Sequence, residues 1–313
     1  MKKRIALRLG AASSILALAL AGCSLMDTPK DEFVKAYDQL NNAKTLETKN
    51  VLSFDINGST GDSEVDEMLS VLDGGKTNLT FNTTSDTEKK LTEVDLAATI
   101  DMGVGSTSLN LDLLLDENKA KIYTTESYLE TATAMLMGAS GDLLGSVDKG
   151  DKTSLIEIGD LTIAEENREM GSVEDFISQV VVAAEEDNFT KKDDVITAKI
   201  PGDKVKEEIV KNLKDGKEGL EKELDMSADE YIATFEDTIK IDDVVIKTTI
   251  KDDKVKEQVL EMPISIGEGA EKLSFVLNLD TEVKSINKKV DFSFDLDKAK
   301  VKTMDEYFEG IYQ

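Results

Sequence analysis

The chain reads as an α+β protein built on one large, curved, antiparallel sheet. Three observations predict this. Apolar and polar residues alternate in many separate runs. Asp, Asn and Gly clusters punctuate those runs, and only a few stretches show helical spacing instead. About eleven strands are expected, arranged like a half-barrel, with an N-terminal helix and inserted helices covering one face. At 313 residues and 40% hydrophobic, the chain is long enough to bury a sizeable core, which must be mainly aliphatic because it has ten Phe and six Tyr.

The first segment gives an address. Lys2, Lys3, Arg4 and Arg8 precede an apolar run, Ala11 to Ala21, and the first acidic residue is Asp27. The run is shorter than the about 20 residues a permanent span requires, so residues 1–22 read as a secretory signal peptide. The segment ends in Leu20-Ala21-Gly22-Cys23, with the chain's only Cys. This is similar to the lipobox of bacterial lipoproteins. The resemblance implies that Cys23 is acylated and that residues 23–30 form a short lipidated tether. The domain would then stand on the outer face of the bacterial cell membrane, held by its anchor. Two buried acyl chains hold stably where one is marginal.

The elements follow in order within a single β-rich domain, residues 31–313. In the stretch after Pro29, Phe33, Tyr37 and Leu40 recur at helical spacing, with Asp31 and Glu32 in the first turn. Strands are expected around Leu52-Phe54-Ile56, Leu79-Phe81, Val94 to Met102 and Leu109 to Leu115, with a turn at Asp116-Glu117-Asn118 before the strand KAKIYTT. Ser127 to Met137 has helical spacing, and the Gly/Ser/Asp-rich stretch that follows reads as a connection. A helix is expected from Ser172 to about Glu186, then the strand DDVITAKI, then a charged helix broken at Gly216. Ser227 caps the next helix. Four alternating runs close the chain: Val244 to Ile250, Leu260 to Ile266, Leu273 to Leu279 and Val290 to Leu296. Asp203-Lys204-Val205-Lys206-Glu207 recurs at Asp253 to Glu257, a coincidence expected in a Lys- and Asp-rich chain.

Composition removes many chemistries. There is no His and no Trp. With Cys23 the sole thiol, Ser-His and Cys-His nucleophile pairs, imidazole or thiolate zinc sites and internal disulfides are excluded. Residues 1–22 hold four of the 37 basic residues and no acidic one, leaving 33 basic against 64 acidic residues, a net charge of −31. Such a chain repels phosphate backbones, so nucleic acid is not an expected partner. The densest acidic spots, Asp242-Asp243, Asp252-Asp253 and Asp291/Asp295/Asp297, lack the spacing of a calcium loop and read as solvated turns. No catalytic residue, metal or cofactor is called for.

The order of lipobox, helix, long meander and inserted helices resembles the LolA/LppX-like group of bacterial lipid-carrier proteins, in architecture and without a signature motif. That resemblance implies a curved sheet whose apolar face lines a cavity for acyl chains. The candidate lining residues are Leu109, Leu111, Leu113 and Leu115; Phe275, Leu277 and Leu279; and Phe292 and Phe294. Leu129, Met135, Leu136 and Met137 would close the mouth. The expected function is non-catalytic binding or carriage of a lipid or another apolar ligand. The alternative is an interaction module with a solid core that docks an envelope protein partner.

Overall fold

The computed structural model describes residues 28–59, 66, 69, 77–101, 106–130, 152–160, 179–182, 184–217, 227–267 and 272–311. Helix α1 spans Pro29–Asn41. Thr28 caps it in a capping box: its hydroxyl accepts from the Asp31 amide, and the Asp31 carboxylate accepts from the Thr28 amide at 3.1 Å. The cap satisfies two otherwise orphaned donors. Phe33, Ala36 and Tyr37 form the buried stripe. The helix therefore begins two residues inside the expected tether.

Strands β1 (Thr45–Gly58), β2 (Thr77–Asp86), β3 (Leu91–Asp101), β4 (Ser106–Asp116) and β5 (Lys121–Thr125) follow in sequence, then β6 (Ser154–Asp160), β7 (Phe189–Lys192) and β8 (Val195–Ile200). Helices α2 (Gly202–Asp215) and α3 (Ala228–Thr238) lead to β9 (Ile239–Ile241), β10 (Val244–Lys251), β11 (Lys254–Ile266) and β12 (Leu273–Ile286). The chain then runs through β13 (Lys300–Thr303) to helix α4 (Met304–Ile311). Ser227 caps α3 by accepting from the Glu230 amide, and α2 ends at Gly216.

All thirteen strands among the described residues join one open sheet, in the order β13-β6-β5-β4-β3-β2-β1-β12-β11-β10-β8-β7, with β9 beside β11. It does not close into a barrel. Every pairing is antiparallel except β6 with β13. The expected class, a large curved sheet with helices, is therefore observed. Its midline is β1 against β12, paired from Leu46↔Ile286 to Gly58↔Leu273.

The main core lies under α1. Phe33, Ala36 and Tyr37 pack with Val180, Val181 and Ala184 on Ile196, Ala198, Ile200, Ile246, Val255 and Leu260. The Phe33 ring stacks on Tyr37 and meets Phe189 edge-on, at centroid distances of 5.6 and 5.8 Å. A smaller cluster, Val210, Leu213 and Ile232, joins α2 to α3.

The expected strand from Val290 to Leu296 is not one. After Asn287, which sits at φ 54°, the chain runs as an irregular strap to Ala299. Both edges of β12 are already taken by β1 and β11, so the segment finds no partner in place. It crosses to the other side of the sheet and packs Phe294 with Leu114, Tyr123 and Leu155.

Candidate functional site

Directly paired residues in a sheet share a face, and neighbours along a strand alternate. Registers therefore link whole rows of side chains. One row runs Leu113, Val94, Thr83, Thr48, Val283. The next runs Leu111, Leu96, Phe81, Asn50, Thr281, Gln258, Thr248, Ile196. Beyond it lie Leu52, Leu279, Leu260 and Ile246, then Phe54, Leu277 and Met262, then Ile56, Phe275 and Ile264. Among the described side chains of β1 to β5, β8 and β10 to β12, none on this face is ionisable. The paired charged residues of those strands, such as Glu47, Asp95, Asp112, Asp280 and Glu261, fall on the opposite face, while Lys256 and Lys284 sit unpaired at register shifts.

Burial divides this uncharged face in two. In β8, β10 and β11, Ile196, Ala198, Ile200, Val244, Ile246, Ile250 and Leu260 are buried beneath α1 and its neighbours. In β1 to β4 Ala98 and Asn50 are buried, but Leu52, Phe54, Ile56, Phe81, Val94, Leu96, Leu111, Leu113 and Leu115 are only half-buried. Leu277 and Leu279 stand at the boundary, half-buried and packed on the main core. The same alternation thus builds a solid half and an incompletely covered half.

A short polar seam crosses the boundary. Asn50, 9% exposed, accepts from the Thr281 hydroxyl at 2.7 Å. Its amide donates to Thr48 Oγ1 at 3.0 Å and reaches the Phe81 carbonyl at 3.5 Å. Gln258 donates to Thr248 Oγ1 at 3.3 Å. These are neutral dipoles satisfied by one another, which avoids the penalty of about 1–3 kcal/mol for a buried polar group left unpaired.

The expected lining residues separate into groups. Leu111, Leu113 and Leu115 share the uncharged face with Phe275, Leu277 and Leu279, reached through β3, β2 and β1. Leu109 of β4 pairs with Ala98 of β3, but its side chain is outside the described residues. Leu129 is half-buried in the helical residues 126–130. Met135, Leu136, Met137 and Cys23 lie outside the described residues, as do the Gly/Ser/Asp-rich connection and most of the helix expected from Ser172. Phe292 and Phe294 leave the set. They belong to the cluster on the opposite face because the strap carries them there. Leu52, Phe54, Phe81, Val94 and Leu96 join it, each already visible in the alternation but not assignable to a neighbour.

Sequence reasoning missed a polar cluster under the strap. Lys152 Nζ lies 3.1 Å from Glu93, 3.0 Å from Asp95 and 3.6 Å from Asp112, and 4.7 Å from the Phe294 ring centroid. It donates to Ser293 Oγ at 2.5 Å, and the Ser293 amide and hydroxyl both donate to Glu93. Burial pulls the Lys152 ammonium down, but Asp95, Glu93 and Asp112 outweigh it and hold the pKa above its ordinary value. Asp112 is pushed up, first by burial and then by its hydrogen bond to Asp95 and the charges of Asp95 and Glu93, against the pull of Lys152. The cluster is a clamp for the strap, since its groups face one another. A groove of about 630 Å³ between α2 and α3 is rimmed by charged residues, including Lys206, Lys214, Glu207 and Glu236, with Val210 among its lining. Among the described residues no group of carboxylates has a metal-binding arrangement, and no helix is long and apolar enough to cross a membrane.

No family model matches this chain, and a search of curated proteins returns no significant match.

Proposed function

We propose that this chain is a lipoprotein of the outer face of the bacterial cell membrane, anchored through Cys23, that binds or carries a lipid or similar apolar ligand without catalysis. The observation that carries the reading is the β1–β4 half of the uncharged face. It is leucine-rich and mostly half-buried, whereas the same face in β8 and β10 is fully buried. Binding sites for apolar molecules are largely apolar and preformed, with few polar groups that fix orientation. The seam of Asn50 and Thr281 supplies such groups at the border of the swath.

Native mass spectrometry with organic extraction tests this on the chain from Ser24 onward, purified without detergent. The expected result is an added mass that extracts as lipid and is lost in Leu111→Trp and Leu277→Trp, which fill the face from both sides. An apo mass throughout overturns it. Incorporation of radiolabelled palmitate, absent in Cys23→Ala, tests the anchor separately.

A further inference from the structure

The strap between β12 and β13 is fastened differently from the strands beside it. Its ends are pinned by backbone bonds, the Asn287 amide donating to the Thr45 carbonyl and the Lys300 amide to the Thr153 carbonyl. Between them, residues 288–299 pair with no strand. Their described bonds to the rest of the protein are few. The Lys288 carbonyl accepts from Thr45 Oγ1 at 2.6 Å, Ser293 donates to Glu93 through both its amide and its hydroxyl, and Lys152 donates to Ser293 Oγ. Phe292, Phe294, Leu296 and Ala299 add packing on Leu114, Tyr123 and Leu155. A segment held by side chains instead of a ladder opens at a lower free energy than the sheet it covers.

The charges beneath its middle do not balance. Among the described residues one ammonium, Lys152, faces three carboxylates within 3.6 Å: Glu93 and Asp95 of β3 and Asp112 of β4. Asp95 and Asp112 are direct partners in the ladder, where like charges repel. The strap and the sheet together keep out the water that would screen them. Other ionisable groups nearby do not relieve the surplus. Tyr123 of β5 is held above its ordinary value by burial and stays protonated. Lys89, 5.4 Å from the Phe292 ring centroid, is paired with Asp86. In the strap itself, Asp291 pairs with Lys289 and Asp295 with Lys298, so both pairs move with it, and Asp297 is exposed.

We propose that the strap is a proton-controlled latch: residues 288–299 lift off β3 and β4 while the sheet stays folded, and a proton on Asp112 holds them shut. Opening uncovers Leu114, Tyr123 and Leu155, so the same proton decides whether this apolar spot meets water. The sign is fixed by the closed state. There, burial, the hydrogen bond to Asp95 and the charges of Asp95 and Glu93 hold Asp112 above 3.8 against the pull of Lys152. Lifting the strap rehydrates the carboxyl and returns it toward that value. The closed strap therefore binds the proton more tightly. It is most secure below the open-state value and loosens as pH rises through the closed one.

Hydrogen exchange read by mass spectrometry tests this on the full chain carrying Cys23→Ser. Rates are taken from about pH 4 to about pH 7 and corrected for intrinsic exchange. Protection of the strap amides should lie below that of β1 and β12 at every pH. It should fall as pH rises, by up to about tenfold per pH unit, the limit for a single proton. Asp112→Asn, which keeps the neutral shape, should flatten that trend and keep the strap protected at neutral pH. Strap and β12 amides exchanging through one common opening at every pH would overturn the latch. So would wild-type strap protection that ignores pH, or a trend that survives in Asp112→Asn. The wild-type profile alone decides the first two of these, whether or not the variant folds.

Discussion

Lys152 holds the strap against the sheet through a contest of charges. It meets three carboxylates, of which Glu93 is almost fully buried. Lys152→Met leaves those anions facing one another, and the loss should be about 2–3 kcal/mol in urea unfolding, since removing one partner strands the other charges. Asp112 gives the cluster a pH signature. Its folded pKa is raised above the reference of 3.8, so the folded chain binds that proton more tightly than the unfolded one. The stabilisation is complete below the unfolded value and is lost as pH rises through the folded one. Asp112→Asn fixes the neutral form, so its stability relative to wild type should increase with pH across that window. A constant difference between the two would remove this account. Asp86 works in the other direction. Burial raises its pKa, but hydrogen bonds to the Lys89 side chain and amide, with the Lys89 charge, outweigh that and lower it. Its contribution is present above 3.8 and is lost as pH falls through the folded value. Asp86→Asn should therefore destabilise at neutral pH and converge with wild type in acid.

At the scale of elements, one pentapeptide folds in two ways. Asp203 to Glu207 forms the first turns of α2, whereas Asp253 to Glu257 leaves a tight turn and enters β11. Asp252 and Asp253 both sit at positive φ, 53° and 57°. Val205 and Val255 are buried in the same core from these different backbones. Local propensity is identical, so the flanks decide. Gly202 is the deciding neighbour of the helical copy: a Cβ there would lie 2.0 Å from the Ile241 carbonyl oxygen and 2.5 Å from that of Asp242. Gly202→Ala forces α2 off β9 and should cost about 2–3 kcal/mol, read as a lower denaturant midpoint. Asp252→Gly relieves a left-handed residue and should be neutral or slightly stabilising in the same assay.

For the whole molecule, alternation made the strands and their two faces legible, while neighbours were not. Leu111 and Leu277 share a face because β3, β2 and β1 lie in order between β4 and β12, and β12 comes from the far end of the chain. No local pattern encodes that pairing. The run from Val290 to Leu296 shows the converse: its alternation equals that of β12, but with both edges of β12 occupied it became a strap. The Lys152 clamp was illegible for a related reason. It joins Glu93, Asp112 and Ser293, which are distant in sequence and look like ordinary solvated residues within their strands. Partial burial of the leucine swath was also beyond the sequence, since a covered and a half-covered face have the same period.

The β1–β12 seam also sets a timetable. Its partners are between 215 and 240 positions apart, from Gly58↔Leu273 to Leu46↔Ile286. A chain made amino end first delivers β1 early and β12 late. In between, β1 has β2 alone, and the leucine face sits beside an open edge that invites foreign strands. A chain stopped before Leu273 should stay protease-sensitive in β1 while the β3–β4 hairpin is protected, a difference that pulsed proteolysis resolves. Whatever holds the unfinished chain therefore has to shelter this surface for as long as the second half takes to arrive.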